Sequence, residues 1–190
     1  MGRREQNRAR TLDQIQRATL DLLEAQGLET TTVGQIAARA GISERTFFRY
    51  YPSKESAALP GVRDVKRALL ALELHAGNFR EVLEQLLQVC RSCFAVEVEH
   101  YEFRRISRLL IREPELMTTV AQQERELVEL LRDKLETQLQ IGSMCSLLAA
   151  EIAISAWRVA WQSYARTEVD GTPGDPLEIF ERVAQQLLAI

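Results

Sequence analysis

Residues 31–56, Thr-Thr-Val-Gly-Gln-Ile-Ala-Ala-Arg-Ala-Gly-Ile-Ser-Glu-Arg-Thr-Phe-Phe-Arg-Tyr-Tyr-Pro-Ser-Lys-Glu-Ser, gather hydroxyl, guanidinium, ammonium and aromatic side chains in one short stretch. The set suits an anionic partner with flat faces. Two short helices are legible in it, joined by Ala40-Gly41-Ile42-Ser43. Ala37 and Ala40 are small enough to let the helices approach closely. Gly41 accepts the left-handed backbone of a sharp turn, and Ile42 plugs the angle. This pattern is a helix-turn-helix, whose second helix can enter a major groove. The first helix would then meet the DNA backbone with its N-terminus, where unpaired N–H groups suit a phosphate. Arg45 and Arg49 taken alone read as a solvated helix face; inside a complete helix-turn-helix they read as DNA contacts.

The remaining sequence supplies the elements that must hold this segment. Apolar residues recur at spacings of three and four, and no sustained alternation points to strands. The periodicity predicts helices over about 8–26, stopped by Gly27; from Val33 to Gly41 after the Thr30-Thr31-Thr32 cap; and after the Ser43 cap to before Pro52. Another begins at Ser53, with a kink or break at Pro60-Gly61. Asn78 with Glu81 forms a capping box that opens the next helix. Further helices are expected over 100–112, over 114–140 with Pro114 in the first turn, over 144–168, and from an Asp175-Pro176 cap to the last residues. The class is all-α with nine helices. The expected domains are 1–52, the helix-turn-helix, and 53–190, in which 53–75 is a connecting helix.

Charge separates the same two regions. The chain of 190 residues carries a net charge of -3, yet residues 1–67 sum to +4 and the remainder to -7. Local charge, not the total, sets the field a phosphate backbone feels. Hydrophobic residues make up 46% and charged residues 27%, which excludes a disordered chain. No apolar run approaches the ~20 residues of a membrane span. The charged start Met1-Gly2-Arg3-Arg4-Glu5-Gln6-Asn7-Arg8 has no apolar stretch behind it, so a cytoplasmic protein is expected. Three cysteines predict reduced thiols, not a disulfide framework.

In Thr31-Thr32-Val33, Ile36-Ala37, Ala40-Gly41-Ile42-Ser43, Thr46-Phe47 and Tyr50-Tyr51-Pro52-Ser53-Lys54-Glu55, the sequence resembles the tetracycline-repressor (TetR) family of bacterial transcription regulators. The matches are ordered and correctly spaced over residues 10–60; beyond them only helix count and order agree. The resemblance implies three DNA-binding helices followed by a six-helix domain for ligand binding and dimerisation. Carried over residue by residue, it implies that Thr32 caps its helix and contacts a phosphate and that Ser43 caps the recognition helix. Arg45, Thr46 and Arg49 face outward to base edges or adjacent phosphates, and Tyr50 and Lys54 reach phosphates. Phe47 and Tyr51 become core pegs. Phe48 stands where many members have Tyr, which leaves apolar contact with a thymine methyl. Gly34 stands where members often have a polar residue. Glu44 is open to three readings: an acceptor for a cytosine amino group, a repeller of phosphate, or a complement to the helix dipole, the favoured one. Arg3, Arg4, Arg8 and Arg10 form either a flexible arm for the groove or backbone or solubilising charge.

In the family the effector pocket lies among the middle helices and the last two helices form a four-helix dimer interface. On that basis Cys93, Phe103, Met117, Trp157 and Trp161 are candidates for the pocket, and Trp157, Tyr164, Phe180 and Leu187 for the interface. Glu151 and Arg158, charged residues in a largely apolar run, are expected to pair with each other's region or across the dimer. Other features read more plainly. Cys90 and Cys93 fall on an apolar helix face with no second ligand pair, so core packing is preferred to a metal or redox site. His75 and His100 are isolated. Arg104, Arg108 and Arg112 form a stripe that either attracts an anionic effector or pairs in solvent with Glu113 and Glu115. No catalytic motif is visible, so neither an enzyme nor a cofactor or metal is expected.

The expected function is a homodimeric repressor that leaves a pseudo-palindromic double-stranded operator when it binds a small-molecule effector. Its two heads would stand roughly 34–36 Å apart, or somewhat wider. No membrane partner is expected. The alternatives are an activator of the same fold, or a small helical binding protein or enzyme with a merely structural helix-turn-helix.

Overall fold

The computed structural model describes residues 2–59, 62–75, 77–99, 101–172 and 174–189. Among them the chain forms ten α-helices and no strand: α1 Arg3–Thr30, α2 Val33–Ala40, α3 Glu44–Tyr50, α4 Lys54–Ala58, α5 Val62–Ala71, α6 Phe79–Glu99, α7 Tyr101–Arg112, α8 Leu116–Leu139, α9 Ser143–Val169 and α10 Pro176–Leu188. The tenth helix arises where one was expected from Ser53 onward. α4 closes at Leu59, whose φ of -120° and ψ of 63° are not helical, and α5 begins at Val62. Pro60 and Gly61, on which the kink was expected, lie outside the described residues, as does His100.

Two compact units result, residues 1–60 with 109–119, and residues 61–108 with 120–190. The expected cut after residue 52 therefore falls inside the first unit, because Ala57, on α4, is completely buried with Ile15, Ala18, Ile36, Phe47 and Tyr51. The corner between α7 and α8 also belongs to this unit. There the carboxylate of Glu113 accepts a hydrogen bond from Leu28 N at 3.3 Å.

In the first unit α1 starts at Arg3, earlier than the apolar periodicity indicated. Gly2 O accepts the Gln6 N–H at 3.1 Å, and the arginines, Gln6 and Ala9 that follow are strong helix formers without needing an apolar face. Arg3, Arg4, Arg8 and Arg10 thus ride on helical turns and are not a flexible arm. Gly27 interrupts α1 with φ 81° and ψ 170°, as its residue type foretells. The short helices are each capped by a hydroxyl. Thr32 Oγ accepts from Gln35 N while Gln35 Oε1 accepts from Thr32 N. Ser43 accepts from Thr46 N and Ser53 from Ser56 N. Gly41, at φ 69° and ψ 32°, supplies the left-handed turn after α2.

A clasp closes this unit. Lys54 Nζ donates to Leu28 O at 2.5 Å and to Thr31 O at 2.8 Å, tying the first turn of α4 to the end of α1. Leu28 O also accepts the Thr31 N–H, at 3.3 Å. By contrast, Arg39 and Asp21 pair at 2.8 Å on an exposed surface, where ion pairs contribute little.

The second unit is built around rings. Phe94 stands edge-on to Phe103 and to Trp157, with centroids 5.7 and 5.5 Å apart, and tilted against Phe180 at 5.6 Å. Phe103 meets Trp161 at 4.1 Å and Tyr164 at 4.9 Å. The alanines Ala149, Ala150, Ala153, Ala156 and Ala160 let α9 sit close to its neighbours, and all five are fully buried. The expected caps are in place: Asn78 and Glu81 bond reciprocally at 3.0 Å, and Asp175 accepts from Leu177 N and Glu178 N. One stretch corrects the sequence reading. Ser143–Thr167 is long and apolar enough, by length and composition, to cross a membrane. Its alanine face is packed in this core.

Burial also decides the polar groups. Cys90 is fully buried and its thiol is pushed up to about 12 by that burial, with Cys93 adding to the shift; a thiolate there is disfavoured, as packing requires. Arg158 pairs with Glu124: its Nη1 donates to Glu124 Oε2 at 3.0 Å, and Nη2 to Ser155. Burial raises the Glu124 carboxyl above its ordinary value, and Arg158 offsets this only in part.

Two stability outcomes follow from these contacts. Lys54→Ala removes the ammonium from both backbone carbonyls and is expected to cost ~1–3 kcal/mol in urea denaturation. Arg39→Ala, which removes only an exposed pair, is expected to cost under ~1 kcal/mol; equal losses would refute the clasp. For Glu124 the sign is set by its raised folded pKa: the folded state holds the proton more tightly than the unfolded state. Its contribution is present below the ordinary glutamate value of about 4.3 and is lost as pH rises through the folded value. The stability of the native protein relative to Glu124→Gln should therefore fall between about pH 4 and neutrality, and thermal melts that diverge in the opposite sense would overturn this.

Candidate nucleic-acid interface

Seven residues cannot hold a helix by themselves, so the orientation of α3 is imposed from outside. Phe47 is completely buried and Tyr51 is 3% exposed. Both pack with Ile15, Ala18 and Ile36 of α1 and α2. At roughly 100° of rotation per residue, burial of Phe47 turns Arg45 and Arg49 to the opposite side, and both are exposed. They stand four residues apart, one above the other on the same face. Phe48 lies beside them, 54% exposed, with its ring edge-on to Phe47 at 5.5 Å.

Tyr50 organises the basic groups. Its ring has the Arg49 guanidinium 5.2 Å from its centroid and that of Arg8 at 5.7 Å. Such cation–π contacts fix a guanidinium without neutralising it. They bring Arg8, from the early turns of α1, to the recognition helix. Sequence reasoning placed Arg8 only in a loose arm, since nothing in the spacing of residues 8 and 50 reports that contact.

The other expected contact residues are placed as follows. Thr32 and Ser43 are exposed at the N-termini of α2 and α3, with their hydroxyls capping. Thr46 is half-buried, its Oγ1 3.0 Å from Ser43 Oγ. Lys54 is half-buried and directs its ammonium to Leu28 O and Thr31 O, a positioning role that its place in the motif does not disclose. The structure thus brings Arg45, Phe48, Arg49 and Tyr50 together on one helix, with Thr32 and Ser43 at the adjoining helix ends. The chemistry offered is two bidentate donors, an exposed ring and two capped helix N-termini. All of these suit a polyanion with readable edges.

The candidates for a small-molecule pocket divide. Cys93, Phe103, Trp157 and Trp161 belong to the ring core of the second unit, where Trp161 Nε1 donates to Glu97 Oε2 at 3.2 Å. Met117 belongs to the first unit, because the corner it occupies packs there. Among the interface candidates, Trp157, Tyr164 and Phe180 are turned into the core, at 8, 2 and 1% exposed, and Leu187 is half-buried. The outward face of α9 carries Met144, Leu148 and Val159 instead, at 80, 50 and 42% exposed, while Ile152 packs against the cluster of Leu83, Leu87 and Ala156. The alanine and aromatic residues between them masked this face in the sequence. Of the arginine stripe, Arg104, Arg108 and Arg112 are all exposed, and Glu113 is engaged with Leu28 N.

Comparison with known proteins bears on this geometry. Residues 15–56, from α1 through the first residues of α4, match the family model of bacterial regulatory proteins, tetR family. The transcriptional regulator TcmR of Streptomyces glaucescens, described as HTH-type, is 41% identical over 93 residues, covering 43% of this chain and 41% of TcmR. The match thus spans about two fifths of that relative's length. Among solved structures, a TetR-family regulator of Syntrophomonas wolfei is 18% identical with a TM-score of 0.60, covering 97% of each chain. FadR of Bacillus subtilis, in complex with stearoyl-CoA, is 14% identical with a TM-score of 0.53, covering 92% of this chain and 96% of its own. These two likenesses concern the fold, and they extend it over both units. Residues 15–56 thus carry the helix-turn-helix domain of the tetR family of bacterial regulatory proteins, and the rest of the chain shares the all-helical fold of the solved structures.

Proposed function

We propose that this protein is a DNA-binding transcriptional regulator, acting as a repressor on a pseudo-palindromic operator and released by a small-molecule effector. The single observation that carries the reading is the outward pair Arg45 and Arg49 on a helix whose rotation is locked by buried Phe47. Arg45 and Arg49 read base edges or the flanking phosphates, Phe48 covers a thymine methyl, and Tyr50 aligns Arg49 and Arg8 toward the backbone. Thr32, Ser43 and Thr46 assist at the helix N-termini, and Lys54 acts by holding the head together.

A symmetric operator requires two heads, and the protein functions as a homodimer. The exposed apolar residues Met144, Leu148 and Val159 on the outer face of α9 support this. The opposite face of the helix is already committed to its own core, and exposed apolar rows on that scale mark association surfaces. The effector enters the second unit among the rings of Phe103, Trp157 and Trp161. The stearoyl-CoA held by FadR supports a molecule with a long apolar chain as its class. Binding favours a conformer whose heads no longer match successive grooves, in proportion to the effector's differential affinity for the two states. The protein works in the cytoplasm, where its DNA is, with no catalytic turnover and no metal or cofactor.

The test is fluorescence anisotropy on duplexes recovered by selection from a random library, titrated with salt. Arg45→Ala should weaken the selected site by ~1–3 kcal/mol and relax preference at one base position. Arg8→Ala should weaken all duplexes alike and flatten the salt dependence by about one ion. Binding that ignores both substitutions, or a strictly monomeric particle in sedimentation, would overturn the reading.

A further inference from the structure

Gly34 and Glu44 face each other across the helix-turn-helix. A Cβ placed on Gly34 would stand 3.0 Å from Glu44 Oε1 and 3.8 Å from both Glu44 Cδ and Thr32 Oγ1. The first of these is closer than ordinary packing allows. Glu44 opens α3, yet its carboxylate lies over the second residue of the neighbouring α2, beside the Thr32 cap. Glycine inside a helix is disfavoured against alanine. Gly34 has ordinary helical backbone geometry, so nothing in its φ requires glycine. The space it leaves is the seat of the carboxylate.

Electrostatics gives that seat a consequence. The N-terminal turns of α2 and α3 are the positive ends of two helices, and in the reading proposed above they are where DNA phosphates approach. Glu44 brings a fixed negative charge to the first turn of both. It complements the two dipoles in the free protein and repels the same phosphates in the complex. A residue placed to read cytosine would extend toward the groove alongside Arg45 and Arg49. Glu44 is folded back instead.

We propose that Glu44, seated on Gly34, is a sequence-independent brake on DNA affinity, lowering the head's attraction for every duplex alike. The inference rests on the DNA-binding reading. A methyl on Gly34 would displace the end of the Glu44 side chain only slightly, so the charge, not the seat, sets the brake.

The experiment is a two-by-two set, native, Glu44→Gln, Gly34→Ala and the double variant. Each is measured by anisotropy against a selected duplex and a random-sequence duplex of the same length, at several salt concentrations, with thermal melts to establish folding. Glu44→Gln is expected to tighten both duplexes by a similar factor, several-fold at low salt and less as salt screens the charge. Gly34→Ala, which moves that charge only slightly, is expected to leave both nearly unchanged, and the double variant to match Glu44→Gln. If Glu44→Gln weakens the selected duplex and spares the random one, Glu44 is a base reader and the proposal is wrong. Unchanged affinity of Glu44→Gln for both duplexes also overturns it. Absence of salt-sensitive binding by the native protein, a separate outcome, would instead remove the parent reading and this one with it.

Discussion

The burial of one ring, Phe47, governs what the head can do. A helix of seven residues offers a partner any of its sides until something fixes its rotation, and Phe47 does this with no exposed surface at all. Ile15, Ala18 and Ile36 form the socket, so α1 and α2 serve as the wall against which α3 is set. Everything on the outer side inherits its direction from that contact: Arg45 and Arg49 away from the core, Phe48 beside them, Tyr50 at the margin where two guanidinium groups flank it. Recognition by planar donors depends on direction as much as on charge, and here direction comes from apolar packing.

Packing alone would leave the short helices frayed, and the head answers with a repeated local device. Thr32, Ser43 and Ser53 each accept the N–H three residues on, at 3.2 Å in every case. α2, α3 and α4 have eight, seven and five residues, well below the length at which a helix persists in water. Each cap satisfies one orphan donor at the end where the dipole is positive. The Lys54 clasp does the complementary work at carbonyls that follow α1. Rigidity of the head is thus assembled from side-chain-to-backbone bonds at helix ends, while the second unit relies on large rings interlocked with small alanines.

This difference explains what could be read from the sequence. Caps and turns are written in consecutive residues: Thr32, Gly41, Asn78 with Glu81 and Asp175 with Pro176 all stand as the sequence reading placed them. The helix-turn-helix was legible for the same reason, being almost wholly local. Contacts between distant residues left no such trace. Lys54 bonding to Leu28 and Thr31, Arg8 reaching Tyr50, and Glu124 pairing with Arg158 are all set by how helices lie, not by spacing. The early start of α1 was missed because its first turns carry arginines and no apolar face, and helix propensity there acts without a hydrophobic stripe to announce it.

α9 shows the limit most clearly. A helix apolar on all sides has either a lipid environment or two protein faces to satisfy, and composition cannot choose between them. Its coordinates do. Alanines and inward-turned Trp157 and Tyr164 occupy one side, within the core, while Met144, Leu148 and Val159 stand exposed on the other. The bulky aromatics that suggested an interface are those whose area most rewards internal burial, so they were claimed by the fold. What remains outside is a row of flexible and branched aliphatic side chains. Their separation by face follows from the 100° rotation per residue: Met144, Leu148 and Val159 fall within about 60° of one another, while the alanines lie on average more than a third of a turn from them. The two faces therefore meet different demands, dense packing on the inside and contact with solvent on the outside.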